Sequence, residues 1–247
     1  VLSAMGAYAI SQGKNVVHYT LELNESYVGL RYDSIFSGVE GQNLMYHKDE
    51  VLEKVEKVEG DLTIKYYPTR SCTVNTLSAH IKKATSFGAE VDMILVDYAD
   101  IMRDVGKSTE MRHQLGNIYE DLRGLAGEMQ IPIWTASQAN RSALDEDVID
   151  ASKVAESYAK VMTADFVISV SRKIEDKIAN TGRFHVIKNR FGPDGLTYPA
   201  KINTNIGKIE LFESTSTQGK EVQSKIRSRD NQTKQMLSAR YEDLMSD

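Results

Sequence analysis

Met93-Ile94-Leu95-Val96 is a continuous apolar run that ends on Asp97-Tyr98, with Phe87-Gly88-Ala89-Glu90 before it as a loop. A short apolar run bounded by turn signals predicts a strand buried on both faces, as in a parallel sheet covered by helices. No other stretch constrains the fold as strongly. A carboxylate at the C-terminal end of such a strand stands in the crevice where open α/β sheets bind ligands. It either ends the strand and nothing more, or does chemistry there; in nucleotide-hydrolysing proteins of this architecture it holds magnesium.

The rest of the chain supplies the helices and the neighbouring strands. Val1 to Gln12 places Leu2, Met5, Ala9 and Ile10 at helical spacing, and Gly13-Lys14-Asn15 ends that helix. Val16 to Leu21 is β-rich and closes on Glu22. Ser26 to Ser37 and Tyr46 to Val58 are helical. Leu62 to Tyr67 alternates like a strand and stops at Pro68. Helices are expected over Thr73–Phe87 and Thr109–Met129, and a buried strand over Ile131–Ala136 delivers Ser137-Gln138-Ala139-Asn140-Arg141. Asp145 to Lys153 is polar and lacks periodicity, which predicts a mobile loop. Strands follow at Asp165–Val170 and Arg183–Lys188, then the turn Asn189 to Gly195, a returning strand from Leu196, and Ile209–Phe212. Strands alternating with helices predict an α/β fold with a mostly parallel, twisted sheet and helices on both faces. The last strands, joined by tight turns, are expected to be antiparallel. Residues 1–213 are assigned to one core, Ser214 to Gly219 to a linker, and Glu221 to Asp247 to a charged tail that is helical only in part.

Composition narrows the function. With a net charge of −5 over 247 residues there is no global basic surface, so any nucleic-acid contact must be local. Cys72 is the only cysteine, which excludes an internal disulfide and a cysteine-rich zinc site and suits a reducing cytoplasm. No apolar run approaches a membrane span. The five histidines show no metal-ligand spacing.

Four strand ends carry polar groups toward one edge: Glu22, Asp97, Gln138 and Lys188/Arg190. In collinear order, Thr20-Leu21-Glu22-Leu23, Ile94-Leu95-Val96-Asp97-Tyr98, Ile131-Pro132-Ile133 with Ser137-Gln138-Ala139-Asn140-Arg141, and Lys188-Asn189-Arg190-Phe191-Gly192-Pro193-Asp194-Gly195 resemble the ATPase domain of DnaB-type replicative DNA helicases. These are RecA-like hexameric motors, and the divergence elsewhere resembles a phage-type member. The resemblance covers Val1 to Phe212. It implies a RecA-like three-layer sandwich that uses ATP and Mg2+, acts on single-stranded DNA, unwinds duplex 5′-to-3′, and works as a hexameric ring in a bacterial or phage-infected cytoplasm. A primase and a helicase loader are the implied protein partners.

It also implies a role for each strand end. Glu22 matches the carboxylate that polarises the attacking water; the plain alternative is an acid at a helix N-terminus. Asp97 matches the magnesium-holding aspartate. Gln138 matches a sensor whose amide both donates and accepts, or else caps a strand. Lys188 and Arg190 match cations that reach the γ-phosphate of a neighbouring protomer, where they stabilise transition-state charge; the alternative is a solvated turn. DNA contacts are expected from Arg141 and from the segment carrying Lys153, Glu156 and Lys160. Ala155 departs from the basic residue that relatives carry beside the acid.

The chain contains no G-x-x-x-x-G-K-[ST] sequence. The resemblance places that phosphate-cradling loop just upstream of Val1, so the 247 residues alone are expected to bind ATP poorly and to be inactive. Two other readings compete: a RecA-like strand-exchange recombinase or clock-type ATPase, and a non-catalytic scaffold that kept the fold.

Overall fold

The computed structural model describes residues 1–106, 108–140, 146–153, 158–226 and 228, with the backbone only at Lys153. The chain divides into two compact units. One comprises Val1–Ala139, Val154–Ala164 and Asn205–Gly207; the other comprises Asn140–Lys153, Asp165–Thr204 and Lys208–Asp247.

The first unit is built on the parallel sheet that the buried runs predict. Its strands are β1 (Val16–Thr20), β2 (Leu62–Tyr66), β3 (Met93–Asp97) and β4 (Ile133–Thr135), in the order β2-β1-β3-β4. Register pairs Thr20 with both Tyr66 and Asp97, so the two central strands end level with each other. Alternate side chains then feed two cores. Val17, Tyr19, Ile94 and Val96 pack with Leu77 and Ile81 of α4 (Val74–Ser86) and Ile118 and Leu122 of α5 (Met111–Met129). Val16 and Leu95 pack on the other face with Leu2 and Ile10 of α1 (Leu2–Ser11) and Val28 and Tyr32 of α2 (Glu25–Ser37). The approach of α1 is close: a Cβ on Gly6 would collide with the Tyr32 hydroxyl and with Leu95. Ile94 has no exposed surface. Ile94→Ala is therefore expected to cost about 2–5 kcal/mol, measured by urea unfolding, because the cavity between sheet and helices collapses only in part.

Local chemistry sets the helix ends. Asn24 accepts from Tyr27 N at 3.0 Å and starts α2, and Gly38 ends it at φ 73°. Thr73 and Thr76 form a reciprocal capping box at the start of α4. The charged stretch predicted as one helix from Tyr46 to Val58 is a 3-10 turn over Gly41–Tyr46 followed by α3 (Lys48–Val55). The short helix α6 (Ala159–Thr163) also belongs to this unit.

The second unit holds an antiparallel sheet of β5 (Phe166–Ser171), β6 (Thr181–Asn189), β7 (Thr197–Asn203) and β8 (Lys208–Leu211), in chain order. Phe184, Ala200 and Ile202 centre its core. Three placements differ from the expectations. The helix α7 (Ile174–Ala179) was not foreseen; Asp176 accepts from Lys173 N at 3.0 Å to start it, and Asn180 ends it in the left-handed region. The chain is helical over 217–226, with Val222 and Ile226 buried, so the expected linker runs straight into a packed element. Finally, residues 146–150 are pinned. Ser171 Oγ donates to Asp147 O and Ser169 Oγ to Ile149 O, both at 2.6 Å, while the Asp147 carboxylate bridges Lys173 and Arg183. Those bonds involve partners over twenty residues away, which local composition does not reveal.

Candidate functional site

The C-terminal edge of the parallel sheet assembles the first group of polar residues. Beyond Thr20 the backbone of Leu21 still donates to Asp97 O at 2.9 Å, so the ends of β1 and β3 stay joined. Thr20 Oγ1 donates to Leu23 O at 2.6 Å and accepts from Leu23 N, which shapes the turn carrying Glu22. Leu21 is fully buried and Thr69 Oγ1 donates to its carbonyl. Glu22 is thus an exposed carboxylate on a fixed turn between a buried anchor and the capped start of α2.

Asp97 is half-buried, and its peptide bond to Tyr98 is cis. Burial pushes its carboxyl above the usual carboxylate range; the positive charge of Arg31 on α2 opposes the rise and the negative charge of Glu22 adds to it. Tyr98 senses the same neighbourhood. Its hydroxyl is raised by burial and by the charges of Glu22, Asp100 and Asp97, and lowered by a bond from Gln138, whose Nε2 donates to it at 3.3 Å. Glu22, Asp97 and Gln138, from three separate strand ends, therefore converge around Tyr98. The ends of β3 and β4 are cross-linked as well: Thr135 Oγ1 accepts from Ala99 N at 2.9 Å and donates to Val96 O at 2.8 Å.

Negative charge gathered at a sheet edge suits a divalent cation. Among the described residues no cluster of three or more His, Cys, Asp and Glu could hold one unaided. That fits magnesium, which takes one or two carboxylates and completes its shell with water and phosphate oxygens.

His18, two residues before Thr20, is buried beneath this edge. Its Nδ1 meets the Tyr32 hydroxyl at 2.9 Å, and its Nε2 is buried without a partner among the described residues. Burial, helped by Arg31, lowers its pKa to about 4. An imidazole neutral in the fold but protonated near pH 6.5 when unfolded makes the unfolded state bind more protons. Stability is then full above about pH 6.5 and declines as pH falls toward 4, by about 3 kcal/mol in total. Melting temperature followed across that window should show the decline, and His18→Gln should flatten it.

The second group lies on the antiparallel unit. Lys188 sits on β6 opposite Val167, and Arg190 follows the strand. Asn189 organises the turn: its Nδ2 donates to Pro193 O at 3.2 Å, its Oδ1 accepts from Phe191 N at 3.1 Å, and Gly195 closes it at φ 74°. Arg190 is tied to Asp165 twice, from its backbone N to Asp165 O at 2.9 Å and from Nη1 to Oδ1 at 2.7 Å.

The expected DNA contacts fare differently. Arg141 and Glu156 lie outside the described residues, and so does the side chain of Lys153, whose backbone is in a 3-10 turn. Lys160 is described, and its placement corrects the expectation. It is only 3% exposed, with Nζ 2.7 Å from Asp100 Oδ2 and 3.2 Å from Ser137 Oγ, so its charge is spent on a buried partner and not offered to DNA. Tyr98, Arg31 and Asp100 had gone unassigned. Tyr98 and Asp100 follow Asp97 so closely that their position on the sheet edge was the available signal.

The family model for the DnaB-like helicase C terminal domain matches residues 1–210. The chain is 29% identical over 209 residues to the DnaB-like replicative helicase of Enterobacteria phage T4, covering 77% of this chain and 43% of that protein. It is 26% identical over 145 residues to the replicative DNA helicase DnaB of Helicobacter pylori (strain ATCC 700392 / 26695), covering 56% and 30%. The chain thus spans less than half the length of these relatives. Among solved structures, an isolated ATPase domain superposes with a TM-score of 0.72 at 15% identity, covering 85% of this chain and 80% of that one. A DnaB-like replicative helicase, described with its interactions with primase, gives 0.67 at 15% identity, over 84% and 56%. Those structures share the RecA-like arrangement of parallel and antiparallel strands, and with the match over residues 1–210 the chain belongs to the DnaB-like helicase C-terminal domain family.

Proposed function

We propose that this chain is the motor domain of a replicative DNA helicase that hydrolyses ATP at the boundaries between copies and moves along single-stranded DNA. The observation that carries the reading is the convergence of Glu22, Asp97 and Gln138 around Tyr98 at the C-terminal edge of the parallel sheet. Glu22 polarises the water that attacks the γ-phosphate; its exposure leaves the carboxylate accessible to that water. Asp97 would hold magnesium, which neutralises phosphate charge when bound. Gln138, with one amide hydrogen on the Tyr98 hydroxyl, keeps a donor and an acceptor with which to register the phosphates.

Lys188 and Arg190 act on the site of a neighbouring copy. The Arg190–Asp165 pair is partly exposed, so releasing the guanidinium costs about 1 kcal/mol or less. Arg141 and Lys153 are retained as DNA contacts, and Glu156 as their acidic companion; Lys160 is not. A hexameric ring, a primase partner and a location in the bacterial cytoplasm follow from the family reading, and no helix among the described residues is long and apolar enough to cross a membrane.

The test is ATP hydrolysis by the full-length protein with and without single-stranded DNA. Stimulation by DNA, together with strand separation on a forked duplex, is the expected result. A folded, assembled protein without turnover would favour the scaffold reading, and filaments on DNA in place of rings would favour a recombinase.

A further inference from the structure

We infer that Asp100 is a positioning residue that ties Gln138 at the nucleotide edge to helix α6, and that DNA stimulation of hydrolysis passes through its carboxylate. This rests on the motor reading above. Asp100 lies in the 3-10 turn Ala99–Ile101, three residues beyond Asp97. Its two oxygens are engaged from three directions. Oδ1 accepts from the Tyr119 hydroxyl of α5 at 2.8 Å; Oδ2 accepts from Ser137 Oγ at 3.0 Å and from Lys160 Nζ of α6 at 2.7 Å. Lys160 also reaches Ser137 Oγ at 3.2 Å and stands 5.7 Å from the centre of the Tyr119 ring. Burial, with the Asp100 charge, drives the Tyr119 phenol well above its ordinary range, so it remains a donor.

The placement, more than the strength, suggests the role. A buried ion pair adds little net stability, because an apolar pair of similar volume usually does as well. What it does supply is a fixed geometry. Ser137 immediately precedes Gln138, and α6 closes the segment that carries Lys153 and Glu156. A shift of Gln138 toward a phosphate moves Ser137 against Asp100, and the same carboxylate holds Lys160. Gly116 of α5 lets α6 pack close, since a Cβ there would touch the Ala159 methyl at 3.8 Å. The helix therefore has little freedom to absorb such a shift by sliding outward.

The experiment compares full-length wild type with Lys160→Met, Asp100→Asn, the double variant and Tyr119→Phe. It reads basal and oligo-dT-stimulated ATP hydrolysis, melting temperature, and the salt dependence of oligo-dT binding. The expected result is a roughly tenfold fall in the stimulated-to-basal ratio for each charge variant, with basal turnover within about threefold of wild type. The double variant should be no worse than the singles, because both cut one connection. Tyr119→Phe, which keeps both charges, should lower the ratio less. The slope of log affinity against log salt should not change.

A slope reduced by about 0.7 in Lys160→Met alone would make Lys160 a direct phosphate contact and overturn the inference. Equal loss of basal and stimulated turnover would reduce the network to a structural one and overturn it too. Should the single charge variants fail to fold, an unaltered ratio in both Tyr119→Phe and the charge-neutral double variant would do the same. A wild type that DNA does not stimulate would overturn the motor reading and this inference together; a stimulated wild type with unaffected variants overturns this inference alone.

Discussion

Glu22→Gln in the full-length protein is expected to lower DNA-stimulated ATP hydrolysis by about 10²–10⁴-fold while leaving nucleotide binding intact. The amide keeps the size of the side chain and removes the negative charge that draws a proton from water. The turn that carries it does not depend on the carboxylate: Thr20, Thr69 and the Asn24 cap fix the backbone on either side. Melting temperature should therefore stay close to wild type. Removing Glu22 also takes away a charge that raises the Asp97 carboxyl, so Asp97 becomes easier to ionise. Binding of nucleotide with magnesium should be unchanged or tighter, measured by fluorescence titration with a labelled analogue. Loss of binding in parallel with turnover would place Glu22 outside the chemistry.

The second large effect belongs to the other unit. Arg190→Ala is expected to cut hydrolysis by about 10³-fold or more, the range for a cation that stabilises transition-state charge. A purely local role predicts something much smaller. The pair with Asp165 is partly exposed, and the turn is organised by Asn189, so loss of the guanidinium should shift stability by less than about 1 kcal/mol. Arg190→Lys should recover only a small part, because ammonium lacks the planar fork that engages two phosphate oxygens. An Arg190→Ala protein with wild-type turnover would return this residue to the solvated turn.

The catalytic edge was legible because its signals are local. The Met93–Val96 run dictated a buried strand, and register with β1 then brought Glu22 and Asp97 to one side. Where the reading failed, the deciding partner was distant in sequence. Lys160 follows a polar segment and looks like a solvated cation, yet Asp100, sixty positions earlier, buries it. The 146–150 stretch shows no periodicity, and it is held by side chains of β5, β6 and Lys173 instead of by its own pattern. The helix α7 was hidden for another reason: Ile174 and Ile178 face solvent, so no buried stripe marked it, although Asp176 and Asn180 carried its caps. Val222 and Ile226 were read as parts of a charged tail because each is isolated among polar residues.

The most direct test of the central claim mixes the two inactive proteins. If one site takes Glu22 from one copy and Arg190 from its neighbour, Glu22→Gln and Arg190→Ala subunits co-assembled in equal amounts form some boundaries with both groups intact. DNA-stimulated hydrolysis should then reappear, at up to about a quarter of the wild-type rate per site if subunits mix at random. Subunit exchange would be verified separately by energy transfer between labelled copies. Confirmed mixing with no recovery of turnover would contradict a site shared between copies.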